Sequence, residues 1–94
     1  MAVFLVTWDL NREKANYAQA RAKLVGRVNQ YQSAQDPGLD SVRFVSANST
    51  AQQVSDDVTQ YSDSNDRLVV VQMSQGTHHG WLSKETWAWI STHL

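Results

Sequence analysis

A mostly apolar run near the start of the chain, residues 3–10, constrains the fold more than any other feature. Its branched and aromatic side chains continue for the length of a strand, and a single carboxylate, Asp9, stands near its end. Such a run predicts a strand that is buried on both faces. Asp9 is therefore expected where the strand leaves the core, a usual place for a functional carboxylate on a mixed α and β scaffold.

Size and composition predict one small soluble domain. The chain of 94 residues is long enough for one modest core, so residues 1–94 are expected to form a single domain. Cysteine is absent, which excludes disulfide and thiolate chemistry and suits a reducing compartment. The opening apolar run is too short for a signal core or a membrane span, so we expect a cytoplasmic protein with no membrane partner. A net charge of −1 argues against an indiscriminate nucleic-acid binder.

The first half of the chain predicts a helix and two further strands. Apolar residues at helical spacing predict a helix over residues 17–31, with Asn16 as its N-cap. A short partner strand within residues 31–35 is an option that the composition of this segment supports poorly, and an Asp-Pro-Gly turn separates it from a strand at residues 41–46. That second strand alternates in part, which places Arg43 on its less buried face.

The second half predicts a helix, a strand and a final helix. Residues 49–52 resemble a capping box that opens a helix over residues 51–61, with the aspartates at 56–57 facing solvent. Residues 67–73 predict a strand that is apolar on both sides at its centre. A last short helix is expected after a cap at Ser83.

This order of elements favours the α+β class. It predicts a ferredoxin-like two-layer sandwich (βαββαβ) with a C-terminal tryptophan-rich helical appendage. Helices cover one sheet face in such a fold, and the other face must be covered by a partner, often a second copy. Four tryptophans in a small chain strengthen the expectation of a homodimer. Helical spacing places Trp87 with Ile90 in the core and Trp89 elsewhere, so Trp81 and Trp89 are the candidates for an interface.

Asp9 and the charged turn after it have two interpretations. Asp9 can bind a divalent cation, Mg²⁺ or Mn²⁺, particularly if a two-fold axis brings two copies together. It can instead cap the following turn through backbone amides. Arg12 and Lys14 would neutralise phosphates beside a metal at Asp9, or they belong to a solvated turn.

Two further groups of residues are candidates for chemistry. Arg21, Lys23 and Arg27 on the first helix form either a nucleic-acid footprint or a solvated face, and no aromatic residues interleave with them. His78 and His79 are adjacent in a glycine-bounded loop, so their side chains are expected to project to opposite sides and not to bind one ion together. Either histidine is a candidate general base, or both belong to a polar loop.

Several segments resemble a known family. The resemblance covers most of the chain and is most specific at its two ends. The segments that look like the SinR-like proteins are residues 4–10, the helix from Tyr17, residues 40–44, residues 65–70, residues 80–82 and residues 87–90. This group is similar in turn to the Cas-two family of small CRISPR-associated proteins and to the VapD-type toxins.

The resemblance implies a ferredoxin-like homodimer whose sheets face each other. It also implies that Asp9 matches the strand-end aspartate proposed to hold a divalent metal for nuclease activity. In the wider family an acidic and arginine-rich turn often follows that aspartate. In this sequence only Arg12 corresponds to that turn. The usual C-terminal strand of such dimers is missing from this sequence.

The expectation is a nucleic-acid-interacting homodimer, acting on RNA or DNA as a metal-dependent endonuclease (endoribonuclease). Asp9 would be the metal ligand and Arg12 would offset charge in the transition state. One alternative is a non-catalytic dimeric scaffold that binds a protein through Trp81 and Trp89. A passive DNA-binding dimer is the other.

Overall fold

Four antiparallel strands form one sheet in the computed structural model, which describes residues 1–13 and 15–94. The predicted α+β class is confirmed, with helices on both faces of the sheet. The sheet order is β2-β3-β1-β4, so β1 and β3 are central and β4 is an edge strand. The elements are β1 (Ala2–Asp9), α1 (Tyr17–Val28), β2 (Gln32–Ala34), β3 (Val42–Ala47), α2 (Ala51–Val58), a short 3₁₀ turn (Thr59–Tyr61), β4 (Arg67–Met73) and α3 (Lys84–His93).

The main core lies between the sheet and the two helices α1 and α2. Alternate residues of a strand point to the same face, so Phe4, Val6 and Trp8 of β1 all face these helices. Both helices contribute apolar stripes at helical spacing, as the sequence predicted. The buried helical residues of this core are Leu24, Val28, Val54 and Val58.

The opposite face of the sheet is covered in part by α3. Val3 and Phe44 of the sheet are buried there against Ile90 of α3. The expectation of helices on one face alone is therefore wrong, because the C-terminal segment folds back onto the face that a partner was expected to cover. Trp89 was expected to point away from this contact, but it packs against the same cluster.

Coverage by the α3 cluster reaches β4 only at Met73, its last residue. The β4 bounds match the sequence prediction, and β4 pairs with β1 without interruption from Arg67 to Met73. Its Val69 and Val71, which share the α3 side of the sheet, are 50% and 51% exposed. The apolar residues of β4 are thus not buried on both sides, because β4 lies at the edge of the sheet. We call Val69 and Val71 the open valine pair.

Arg43 is buried, contrary to the expectation that it lies on the less buried face of its strand. It is 5% exposed, and its guanidinium carbon lies 5.5 Å from the centroid of the Trp8 ring. Its Nη1 donates to the backbone carbonyls of Asp40 and Val42. Burial lowers the pKa of Arg43. The long side chain thus covers Trp8 while its charged end is satisfied by backbone oxygens.

The N-termini of the helices differ in part from the predicted caps. The capping box of α2 is formed by Thr50 and Gln53, one residue later than predicted at each position. Asn16 stands at the predicted N-cap of α1 but makes no side-chain capping hydrogen bond within the described part of the chain. Ser83 caps α3 as predicted, and its Oγ accepts from the amide of Thr86.

A buried aspartate joins the turn before β3 to the start of α3. The predicted turn at residues 36–38 is present, and Asp36 accepts a hydrogen bond from the amide of Gly38. Its second carboxylate oxygen accepts from the amide of Ser83 at 2.6 Å. Both backbone hydrogen bonds lower the pKa of Asp36, and the one from Ser83 has the larger effect. The side chain therefore fixes α3 to the sheet from a position 47 residues earlier in the chain.

Candidate functional site

Asp9 is at the exposed end of β1, where the sequence predicted it. Its carboxylate makes no hydrogen bond or ion pair with any described residue, so the structure gives no sign of the alternative role as a turn cap. The following turn is organised by other groups. The Asn11 side chain accepts from the amide of Glu13 at 2.9 Å, and the amide of Asn11 donates to Asp66 at 2.8 Å.

The residue directly opposite Asp9 in the sheet is Arg67. The two face each other in the register of β1 with β4, and both are exposed. Arg67 also donates to the backbone carbonyl of Asp66 at 3.0 Å. Local patterns predicted Arg67 only as the first residue of a strand. Its position beside Asp9 depends on the pairing of residues 58 positions apart, which no local pattern indicates. A shallow depression of about 350 Å³ is lined by Thr7, Trp8, Asp9, Arg67, Leu68 and Val69.

Arg12 interacts with the first helix. Its guanidinium carbon lies 5.8 Å from the centroid of the Tyr17 ring, a cation–π contact at an exposed site. The predicted phosphate contact of Lys14 falls outside the described residues. The sequence had suggested Arg12 and Lys14 as the cations beside Asp9, and the structure adds Arg67, which lies opposite Asp9 in the sheet.

Two of the three candidate nucleic-acid-binding residues on α1 are engaged within the chain. Arg27 forms paired hydrogen bonds with Asp57 of α2, with its Nη2 at 2.8 Å from the carboxylate. Arg21 forms an ion pair with Asp40 at 3.1 Å. Lys23 is exposed and lines a separate depression between α1 and the 3₁₀ turn.

The Arg27–Asp57 contact also includes Tyr31, whose hydroxyl donates to the same carboxylate. Asp57 was expected to face solvent, but its carboxylate joins α2 to Arg27 of α1 and to Tyr31, which follows that helix. The hydrogen bond from Arg27, followed by that from Tyr31, lowers the pKa of Asp57. Burial, together with the hydrogen bond to Asp57, raises the pKa of Tyr31 to about 12.

The two adjacent histidines occupy different environments. His78 is half-buried and stacks on Trp87 with ring centroids 5.9 Å apart, whereas His79 is exposed. The buried Nδ1 of His78 has no hydrogen-bond partner within residues 1–13 and 15–94. Over those same residues, no group of three or more histidine, aspartate or glutamate side chains is arranged to hold a metal ion. Asp9 would thus be a single protein ligand within one protomer.

The exposed tryptophan lies in the loop before α3. Trp81 is 100% exposed. Trp89, the other predicted interface residue, is half-buried and stacks on His93 with ring centroids 4.1 Å apart. Together with Met1 at the start of the chain, Trp81 and the open valine pair are the most exposed large apolar side chains among the described residues.

Comparisons with known proteins give no relative. A scan against protein-family models found no match. Searches of curated proteins and of solved structures also found none. Across the described residues, each helix is too short or too polar to cross a lipid bilayer.

Proposed function

We propose that this chain is a homodimeric interaction module built on a ferredoxin-like fold. The observation that carries the proposal is the open valine pair, which lies where the cover provided by α3 ends. Val69 and Val71 are on a regular strand with ordered neighbours, so burying them against a second copy removes apolar surface from water at small cost in chain ordering.

The order of the secondary-structure elements supports the ferredoxin-like assignment. Two β-α-β segments follow each other along the chain, and β1 and β3 lie side by side at the centre of the sheet. Helix α3 is an addition to this plan and forms a partial third layer. A likeness to the Cas-two and VapD group is part of the proposal, since that group combines a sheet of this kind with a homodimer.

The distribution of charge favours a protein partner over a nucleic acid. Contacts to phosphates supply most of the non-specific affinity for nucleic acids, and they need cations that are free to make them. Arg27 and Arg21 are paired with carboxylates of the same chain, and Arg43 is buried. Trp81 offers an additional contact for a protein partner, because exposed tryptophans often dominate the binding energy of interfaces. Trp89 contributes less, since its ring is already stacked on His93.

The homodimer is tested by the mass of the protein in solution. We expect sedimentation equilibrium to give about twice the chain mass of 10.6 kDa at high protein concentration, falling toward one chain mass on dilution. The same mass is expected after nuclease treatment, because no nucleic acid is needed to hold the two copies together. A single chain mass at every accessible concentration would contradict the proposal. Salt-sensitive retention of the protein by DNA would instead support the passive DNA-binding dimer.

A second candidate function, a metal-dependent nuclease, is favoured by one observation at Asp9. Its carboxylate is exposed, has no partner among the described residues and faces Arg67. A single carboxylate suits Mg²⁺ or Mn²⁺ that keeps most of its waters. When bound, such a metal would polarise a phosphodiester of RNA or DNA and orient the attacking water. Arg67, with Arg12 nearby in sequence, would offset negative charge on the substrate.

Cleavage assays with labelled RNA and DNA test this second function. With Mg²⁺ or Mn²⁺ added, we expect Asp9→Asn to lower the cleavage rate at least about 100-fold, because the metal contribution is worth several kcal/mol. Asp56→Asn, which changes an exposed carboxylate on α2, is the matched control and should keep the original rate. Chelator should stop the reaction. Absence of cleavage by the unaltered protein, or cleavage that survives Asp9→Asn, would exclude Asp9 as a nuclease residue.

A further inference from the structure

We propose that two copies of this chain join edge to edge through β4, which pairs with β4 of the second copy as an antiparallel strand. The two sheets would then form one continuous eight-stranded sheet, from four strands in each copy. This pairing mode rests on the homodimer proposed above and specifies its interface.

Apart from Arg67 at its first position, the β4 edge lacks the features that normally prevent strands from pairing. Edge strands are usually protected by charged residues, proline, a bulge or a short length. Here β4 is seven residues long and runs without a bulge against β1. Residues 68–73 read Leu-Val-Val-Val-Gln-Met, with no charge, proline or glycine. Its outer backbone groups are thus available to another strand.

The strand is chemically suited to pair with itself. A two-fold axis at Val70 overlaps all seven residues of the two strands and sets Val69 of one copy opposite Val71 of the other. Because the axis is perpendicular to the sheet, the open valine pairs of both copies lie on the same face and form one apolar group of four side chains. Cross-strand pairs of β-branched residues of this kind stabilise sheets.

Charge at the ends of the paired strands is also compatible with a second copy. In this register the turn before β4, whose exposed carboxylate belongs to Asp63, comes beside the partner segment that follows β4, while Asp66 is buried and hydrogen-bonded within its own chain. That segment, residues 74–84, contains two histidines and a lysine but no acidic residue. Arg67 of each copy lies opposite Met73 of the other, and the two arginines are about 20 Å apart along the strands. Within the paired residues 67–73 no like charges face each other directly, so the two strands themselves are free of charge repulsion.

Cysteine cross-linking distinguishes this mode from a dimer in which the sheets face each other. The chain has no cysteine, so Val70→Cys introduces a single thiol. Val70 points to the face occupied by α1 and α2. At the proposed axis the two Val70 Cα atoms would be about 4.5–5.5 Å apart, within disulfide range. We expect mild oxidation to convert most of this variant into a covalent dimer, while the control Arg67→Cys, about 20 Å from its copy, stays largely monomeric on a non-reducing gel.

A second variant tests the same contact without a cross-linking reaction. Val71→Lys places a charge at the centre of the apolar group and should weaken dimerisation at least about tenfold. The matched control, Gln19→Lys, adds the same charge at an exposed position on α1, outside the proposed contact, and should leave the dimer constant within about twofold. If the unaltered protein is a dimer but Val70→Cys does not cross-link, or Arg67→Cys cross-links as well, the edge pairing is wrong and the homodimer stands. If the unaltered protein is a monomer, the homodimer itself is wrong.

Discussion

Replacing Ile90 with alanine should lower the free energy of unfolding by about 2–5 kcal/mol, because the change leaves a cavity at a fully buried position. Ile90 is the central contact of α3 with Val3 and Phe44 of the sheet. For a small domain, this loss is a large share of the total stability. Urea unfolding followed by circular dichroism would measure it, with the shift in midpoint giving the change at constant slope.

The neighbouring change Ser91→Ala provides the control for Ile90→Ala. Ser91 is on the same helix but exposed, so its replacement should alter stability by less than about 0.5 kcal/mol. Hydrogen exchange would locate the effect, because amides of α3 should lose protection in Ile90→Ala more than those of β1. Equal stability of the two variants would show that α3 does not pack on the sheet in solution.

Replacing Asp57 with alanine should destabilise the protein by about 1–2 kcal/mol at neutral pH. The change removes the carboxylate that accepts hydrogen bonds from Arg27 and Tyr31, so this contact between α1 and α2 is lost. The expected value is modest because the Arg27 side chain is 36% exposed, and water screens the ion pair. Thermal or urea unfolding of both proteins at pH 7 would measure the difference.

The pH dependence of this difference has a defined direction. The pKa of Asp57 is lowered below its ordinary value of 3.8, so the folded state favours the charged form. Its contribution to stability is therefore fully present above about pH 4 and is lost as the pH falls through the lowered pKa. The stability difference between the unaltered protein and Asp57→Ala should shrink in acid. A difference that stays constant down to pH 2 would contradict the role given to the carboxylate.

Tyr31 reports on the same contact at alkaline pH. Its pKa is raised from 10.0 to about 12, first by burial and then by the hydrogen bond to Asp57. In the folded state its hydroxyl thus stays protonated up to about pH 12, and its contribution to stability is present below pH 10 and lost as the pH rises through 12. Asp57→Ala should bring the pKa of Tyr31 part of the way back toward 10, because burial remains. Absorbance titration of the phenolate would follow this shift.

Strong apolar patterns predicted most of the elements correctly. The run that ends at Asp9 became β1 and residues 67–73 became β4, whereas β2 formed within residues 31–35, a segment whose composition gave a strand little support. Local patterns also located the Asp-Pro-Gly turn and the cap at Ser83. These features depend on neighbouring residues, so their signals are present in a short stretch of sequence.

The features that sequence reasoning missed depend on contacts between distant residues. Arg43 is buried because it covers Trp8 and reaches backbone carbonyls, and Asp57 is engaged because α1 and α2 lie side by side. The placement of Arg67 opposite Asp9 likewise follows from the order of strands in the sheet. The spacing of apolar residues indicates which residues share a face of a helix or strand. It does not indicate which distant residues pack against that face. The candidate site was thus predicted at Asp9 and completed only by the tertiary structure.

The position of α3 bears on the kind of dimer that the proposal above describes. Because this helix shields Phe44 and Val3 within a single chain, that part of the sheet needs no second copy to be buried. The proposed self-association would then be a reversible equilibrium governed by protein abundance, in contrast to the obligate pairing of subunits that fold only together.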